Sequence, residues 1–316
     1  MSVTKVAVLG ATGQQGGAVA EALAKKGIAV VAITRNDSSE KAKALASRAH
    51  TEVREADLND KDSLVKAFDG CDGAFVVANF WEGMDVEKEV QQYKNATDAL
   101  KEVGSMKHVV FSTLDETTIP VTDHFKILHE CEHQDAKGPM KVPHFDGKAR
   151  CEKMFEGLPT TFMLTCGYFE NFCTLFSFNK GEDGSYSFTL PLSDVKIPWT
   201  ILGDLGELAA CAFTKPELIG QKIGQASLFV TGDELAEIFS KATGKTIKYN
   251  CVPWETFASF GFPGADDLAH MFEFWILTWD DFTKARDMDA QTKIMDGQKF
   301  TDPVEYAKML PLNFEE

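Results

Sequence analysis

Residues 6–17 read VAVLGATGQQGG, and no other stretch restricts the possible folds of the chain as strongly. A short apolar run gives way to Gly10, Gly13 and Gly16, and then to an alanine-rich amphipathic segment. That is a buried strand turning directly into a helix. Gly10 is expected to make the tight turn, Gly13 to let the backbone approach a pyrophosphate, and Gly16 to let the helix pack closely. Thr12, Gln14 and Gln15 share the turn and count with the glycines as cofactor contacts. The helix that starts here offers unpaired N–H groups and a positive dipole end to phosphates. A glycine-rich turn alone is a weak sign, so the pattern that follows it decides its meaning.

That pattern is an alternation. KVAVLG, AVVAIT, TEVREA, GAFVVA and KHVVFST read as strands. Between them lie the helices QQGGAVAEALAKKG, closed by Gly27, then SSEKAKALASRA, DKDSLVKAFDG and DVEKEVQQYKNATDALKEVG. Such spacing means right-handed βαβ units in a doubly wound parallel sheet. After Thr113 the alternation breaks. Residues 114–143 are polar, carry Pro120, Pro139 and Pro143, and read as an insertion or long loop. A helix from about Phe145 to Glu156 and the strand TTFMLT follow. Further on, DLGELAACAFT reads as a helix with Asp204 as N-cap, and GDELAEIFSKATG as a helix stopped by Gly244. The expected class is α/β: a Rossmann-type doubly wound parallel sheet with a smaller α+β C-terminal domain. The expected division is 1–165 for the nucleotide domain and 166–316 for a smaller substrate or partner region. No linker separates them, so the second should pack on the carboxyl edge of the sheet and is free to interleave with the first.

Cofactor choice is read after the second strand, in ITRND. An NAD site commonly places an acid there for the ribose 2′-OH. Here the strand ends at Thr34 and Arg35 follows, whose planar fork suits a 2′-phosphate. Lys41 would add charge, and the competing reading gives the ribose to Asp37. NADP(H) is therefore expected over NAD. Asp57, after the third strand, is expected beside the adenine, and Asn79, after the fourth, near the pyrophosphate or the nicotinamide ribose.

The segment PHFDGKARCEKMF poses the catalytic question. Reductases of this general build place a tyrosine four residues before a lysine on one helix face, the lysine holding the nicotinamide ribose. Lys148 is present, but His144 stands in the tyrosine position, and Pro143 before it would put it just outside the helix. A histidine has the right acidity to donate a proton but a shorter, differently aimed ring. Ser112 and Thr113 end the fifth strand where such enzymes hold a carbonyl. Tyr168 is a substitute donor or an aromatic packing residue.

The formal net charge of −16 excludes a general affinity for nucleic acid or anionic membranes. No run of about 18 apolar residues suggests a membrane span, and the N-terminus does not have the form of a signal peptide. The seven scattered cysteines, without a C-x-x-C pair, read as reduced thiols, which points to the cytoplasm and leaves the nucleus open. HECEH (His129–His133) matches the H-E-x-x-H zinc-protease signature, with Glu152 or Glu156 as a third ligand. Its place in an insertion of a nucleotide-binding fold argues for a chance match, and no metal is expected. The aromatic run WETFASFGFPGADDLAHMFEFW reads as core or as the wall of an apolar pocket.

Taken together, VLGATGQQGG, TRN, NFWE, HFDGK, GYFEN and FGFPGADDLAHMF resemble the NmrA-like group of atypical short-chain dehydrogenases/reductases, in particular its NADPH-sensing branch. The resemblance implies a Rossmann domain with a smaller C-terminal domain, NADP(H) as cofactor, and a regulatory role through a protein partner or a homodimer. It also implies cofactor contacts at Gly10 to Gly16, Arg35, Asn79, Lys148 and the segment Gly167, Tyr168, Phe169, Glu170 and Asn171. The 114–143 segment is longer than that branch leads one to expect. The expected function is a redox sensor whose association or partner binding changes with NADPH occupancy. The alternative is an NADPH-dependent oxidoreductase of quinones or other carbonyls, with Lys148 and His144 as its catalytic pair.

Overall fold

The computed structural model describes residues 3–122 and 125–315. The first half follows the expected alternation: β1 (Lys5–Val8), α1 (Gln14–Lys25), β2 (Ala29–Thr34), α2 (Glu40–Ala46), β3 (Thr51–Glu55), α3 (Lys61–Phe68), β4 (Gly73–Val76), α4 (Val86–Val103) and β5 (His108–Thr113). Side-chain caps set several helix starts. Asp60 accepts backbone N–H groups at the head of α3, and Asp85 does so at the head of α4. Gly104, in the left-handed region at φ +65°, stops α4.

The 114–143 segment is not a polar excursion. It contains the hairpin β6 (His129–Cys131) and β7 (Gly138–Met140) and buries Phe125, Cys131, Ala136, Met140 and Val142. Its two ends are tied to one carboxylate. Asp146, fully buried, accepts the backbone N–H groups of Thr117, Lys141 and Val142 and the Thr117 hydroxyl. Asp146 lies on α5 (Pro143–Cys151), so the helix that carries the catalytic candidates also pins the long segment. Pro143 takes the first helical position, which leaves His144 inside the helix rather than ahead of it. The missing proline N–H is one of those a helix start leaves unpaired anyway.

β8 (Thr160–Leu164) and β9 (Gly167–Tyr168) follow, then β10 (Phe178–Lys180), β11 (Tyr186–Leu190), β12 (Ile197–Thr200), α6 (Leu202–Ala212), β13 (Lys222–Gly224), β14 (Leu228–Val230), α7 (Gly232–Thr243), β15 (Ile247–Cys251), α8 (Trp254–Ala258), α9 (Ala265–Leu277) and, near the end of the chain, β16 (Phe314–Glu315). α6 begins two residues before Asp204, which is not its N-cap. The Asp204 carboxylate instead accepts the N–H and hydroxyl of Thr301. α7 starts with a full capping box, Thr231 with Glu234, and ends at Gly244 as expected.

The main sheet has seven parallel strands in the order β13-β8-β5-β4-β1-β2-β3. This is a Rossmann-like doubly wound sheet. The chain leaves β1 toward β2 on one side and later fills β4, β5 and β8 on the other, so the switch point lies between β1 and β4. The later half returns to this layer. β13 pairs with β8, and α6 lies against α1 so closely that a Cβ at Gly206 would stand 2.4 Å from the Ala18 carbonyl oxygen. The rest of it forms a four-stranded sheet, β15-β11-β10-β16, and a three-stranded one, β14-β12-β9, over an aromatic core that includes Phe172, Phe178, Phe188 and Phe239. Buried Arg286 holds this region to the end of β8. Its guanidinium donates to the Thr165 carbonyl and pairs with Asp115 at 2.6 Å.

Candidate functional site

The carboxyl ends of the central strands open onto a cavity of about 800 Å3, walled in part by α9 and by Trp199. The glycine turn supplies one end of it. Gly10 takes φ +63°. A Cβ at Gly16 would lie 2.4 Å from the Gly10 carbonyl oxygen and one at Gly13 3.2 Å from it, so side chains there would fill the cradle or push the helix away. α1 starts behind Gly13 with no side-chain cap and no acid in its first turn. Its leading N–H groups and positive dipole end thus have no cap and no acid of their own first turn to answer them. Thr12, Gln14 and Gln15 line the same wall.

Arg35, delivered by β2, lines the cavity and pairs with Glu82, from the short turn Phe80–Glu82 that follows β4. Both side chains are largely exposed, so the pair is cheap to exchange for another partner. Asp37 and Lys41 are not part of this wall; Asp57 is. The Asp57 carboxylate is occupied by the backbone and side-chain N–H groups of Asn59, at 2.8 and 2.7 Å. Asn79 lines the cavity beside the Phe80–Glu82 turn, and the Tyr93 hydroxyl fixes that approach by accepting the Ala78 N–H at 3.1 Å.

α5 presents His144 and Lys148 to the cavity. Lys148 is buried, with Nζ 2.5 Å from Oε1 of Glu89 on α4, whose other oxygen has no partner among the described residues. His144 is buried too. Its Nδ1 and its backbone N–H both meet the carboxylate of Asp267 on α9. A carboxylate only accepts, so Nδ1 carries the hydrogen and Nε2 is the nitrogen left for chemistry. The imidazole also packs against Trp81, ring centroids 4.8 Å apart.

A hydrogen-bonded chain joins the two halves of the wall. Ser112 donates to Gln15 at 2.7 Å, and the Gln15 amide donates to the Tyr168 hydroxyl. Burial pushes the Tyr168 phenol up to about 12, so it stays protonated at neutral pH. Thr113 turns away and bonds Glu152 at 3.2 Å. Of the segment after β8, Gly167, Tyr168 and Asn171 line the cavity, whereas Phe169 and Glu170 do not. Phe169 stacks on Phe239 in the core. Glu170 accepts the Leu202 N–H and the Tyr306 hydroxyl, which makes both residues framework of the C-terminal region.

One side of the wall is apolar: Leu114, Phe145, Phe176, Trp199, Met271 and Trp275. The aromatic run near residue 260 therefore divides. Phe257 and Phe274 serve the core, while Phe272 and Trp275 belong to both core and wall. Gly167 lies between two indoles, its missing Cβ 3.1 Å from Trp275 and 3.2 Å from Trp199. Glu89, Asp267, Trp81 and Trp199 all shape the site; Trp81 and Asp267 lie in the stretches NFWE and FGFPGADDLAHMF that carry the resemblance, but no local pattern gives any of the four its role. HECEH forms no helix: its first three residues are β6, so its histidines do not share a helix face. Glu152, proposed as a third ligand there, pairs with Lys222 at 2.7 Å.

The profile of the NmrA-like family matches residues 2–307. The chain belongs to the NmrA-like family. Among its relatives, the NmrA-like family domain-containing oxidoreductase FrzB of Cladobotryum is 30 % identical over 295 residues, covering 85 % of this chain and 83 % of FrzB. The oxidoreductase cpsB of Aspergillus campestris is 28 % identical over 312 residues, covering 88 % and 84 %. Among solved structures, NmrA, a negative transcriptional regulator, in complex with NADP matches with TM-score 0.76 over 98 % of this chain and 95 % of its own, at 20 % identity. That likeness speaks to the fold alone. The NADPH-dependent quinone oxidoreductase QOR2 of Escherichia coli, complexed with NADPH, matches with TM-score 0.70 over 96 % and 98 %, at 25 % identity. Among the described residues of this NmrA-like chain, no helix is long and apolar enough to cross a membrane.

Proposed function

We propose that this NmrA-like protein binds NADP(H) and reduces flat, apolar quinones or other carbonyl compounds. The observation that carries the reading is the aromatic wall of Phe145, Trp199, Phe272 and Trp275 in the same cavity as the glycine turn, His144 and Lys148. The residues present fit the cofactor. The uncapped start of α1 and the glycine cradle suit the pyrophosphate, Arg35 the 2′-phosphate, and Lys148 the nicotinamide ribose. When bound, NADPH supplies the hydride. The chain must then bring a proton to the substrate oxygen and keep water out. Asp267 holds the His144 ring and its Nδ1 hydrogen in place, which leaves Nε2 as the nitrogen that would pass a proton to the substrate oxygen. Glu89 and the packed face of α5 fix the reach of Lys148. Ser112, anchored by Gln15, provides a hydroxyl beside the reacting groups.

The regulatory reading keeps one specific support. Glu82 already holds one nitrogen of the Arg35 guanidinium, so a ligand phosphate at Arg35 would compete with it, which links cofactor occupancy to the Phe80–Glu82 turn and the exposed Trp81 within it. One experiment separates the two. NADPH oxidation is followed with a panel of quinones, and association state is measured with and without NADPH. Steady turnover supports the reductase. Tight NADPH binding with no turnover on any quinone or aromatic carbonyl would overturn it, and an NADPH-dependent change in association would then favour sensing.

A further inference from the structure

HECEH is a strand motif here, and that changes what it can hold. In β6 alternate residues share a face, so His129 and Cys131 project together while Glu130 points the other way and is exposed. The shared face meets the first turn of α4, where Glu87 stands. One donor atom each from Glu87, His129 and Cys131 lies within 4.8 Å of the other two. His129 Nε2 and Glu87 Oε1 are 3.4 Å apart, which is long for a hydrogen bond. It matches the edge of a zinc tetrahedron, roughly 3.3–3.8 Å for bonds of about 2.0–2.3 Å.

We propose that Glu87, His129 and Cys131 form a binding site for a thiophilic divalent cation, zinc foremost, that staples the β6–β7 hairpin to α4. A thiolate, an imidazole and a carboxylate are a donor set for zinc, not for the all-oxygen preference of calcium or magnesium. The Cys131 thiol is buried, while Glu87 and His129 are half-buried, so an ion approaches from solvent and a water completes the fourth position. The Glu132 N–H already donates to Glu87 Oε1 at 2.6 Å and holds that carboxylate toward the site. His133 stands outside the set, with Nε2 3.2 Å from Gln91 Oε1. Binding requires the Cys131 thiolate, so each cation taken up releases a proton. Glu89, two residues along α4 from Glu87, holds Lys148, which puts the site within one helical turn of the cofactor cavity wall.

The test uses the full chain, freed of any polyhistidine tag and stripped with a chelator. Zinc is titrated against a chromophoric competitor, and cobalt(II) is used as a spectroscopic probe. The proposal expects one equivalent of zinc and a near-ultraviolet thiolate-to-cobalt band. Cys131→Ser should abolish the band, and Glu87→Gln should weaken zinc by more than about 100-fold with its circular dichroism unchanged. Glu87 is half-buried at the surface, so that variant reads the site even if the buried cysteine variant fails to fold. Zinc not held at one equivalent, a cobalt spectrum without the thiolate band, or unchanged affinity in Glu87→Gln would each overturn the proposal.

Discussion

His144 owes its position to two residues that the sequence keeps far from it, Trp81 against its ring and Asp267 at its Nδ1. Asp267→Asn leaves a single acceptor oxygen for two donors, the Nδ1 hydrogen and the His144 backbone N–H, so the tautomer is no longer held by a carboxylate. Under the reductase reading, kcat should fall by roughly 10²-fold or more while NADPH affinity is unchanged. Steady-state kinetics with a fluorescence titration of NADPH checks this, and an unaltered kcat would remove His144 from proton transfer. Arg35→Ala should raise the Kd for NADPH by roughly 10–100-fold and leave NADH nearly unaffected, as expected for loss of a charged hydrogen bond. Equal weakening of both would reassign the site to NAD. At this scale the sequence is legible where the signal is local. The glycines, Arg35 and Lys148 stand at readable spacings in one turn or on one helix. Glu89 and Asp267 are not legible, because they meet their partners across 59 and 123 residues. Phe169 and Glu170 sit in a motif whose neighbours line the cavity, and only packing shows that their own side chains turn into the framework.

Among the elements, the β1–α1 unit is the most tightly specified. Gly16→Ala would drive a Cβ to 2.4 Å from the Gly10 carbonyl, a backbone atom that cannot swing aside, so strand and helix must separate. A loss of about 1–3 kcal/mol in urea unfolding is expected, together with weaker NADPH binding. Gly203→Ala is the contrast. That glycine is helical, has no atom within 4 Å of a new Cβ, and should gain about 0.4–1 kcal/mol. If both substitutions behave alike, the tight packing behind Gly10 is not what the glycine serves. The alternation through β5 is readable because most of its strands are short apolar runs, β3 with TEVRE being the exception, and its helices are periodic. The hairpin inside 114–143 is not. Its buried residues fall at irregular spacing, and the groups that order it are the buried Asp146 and the partners it collects. Asp204 has the residue type of a cap, yet its tertiary bond to Thr301 outweighs that local preference.

The whole molecule carries buried histidines on its structural side. Burial lowers His108 to about 4, and His108 bonds Thr161 at 2.7 Å between β5 and β8. Burial also lowers His270. A histidine with a depressed folded value stabilises fully above its unfolded value of about 6.5 and loses that contribution as pH falls toward the folded one. Unfolding free energy should therefore drop by about 2 kcal/mol from His108 between pH 7.5 and 5. His108→Gln should flatten that slope, whatever its effect at neutral pH. A slope that persists unchanged would assign it elsewhere. How the later half closes over the sheet was only partly readable. The absence of a linker places this region at the carboxyl edge, but the return of α6 and β13 to the first layer depends on Gly206 and on pairing that no local pattern announces.

The Arg35–Glu82 pair has a consequence for the molecule as an instrument. If the 2′-phosphate takes Arg35 as proposed, Glu82 is a tethered competitor, held at a high effective concentration beside that guanidinium. Cofactor affinity is then a difference between two attractions to the same arginine. Under the sensing reading, half-saturation would be set by a side chain as well as by the ligand, by the small amount that an exposed pair contributes.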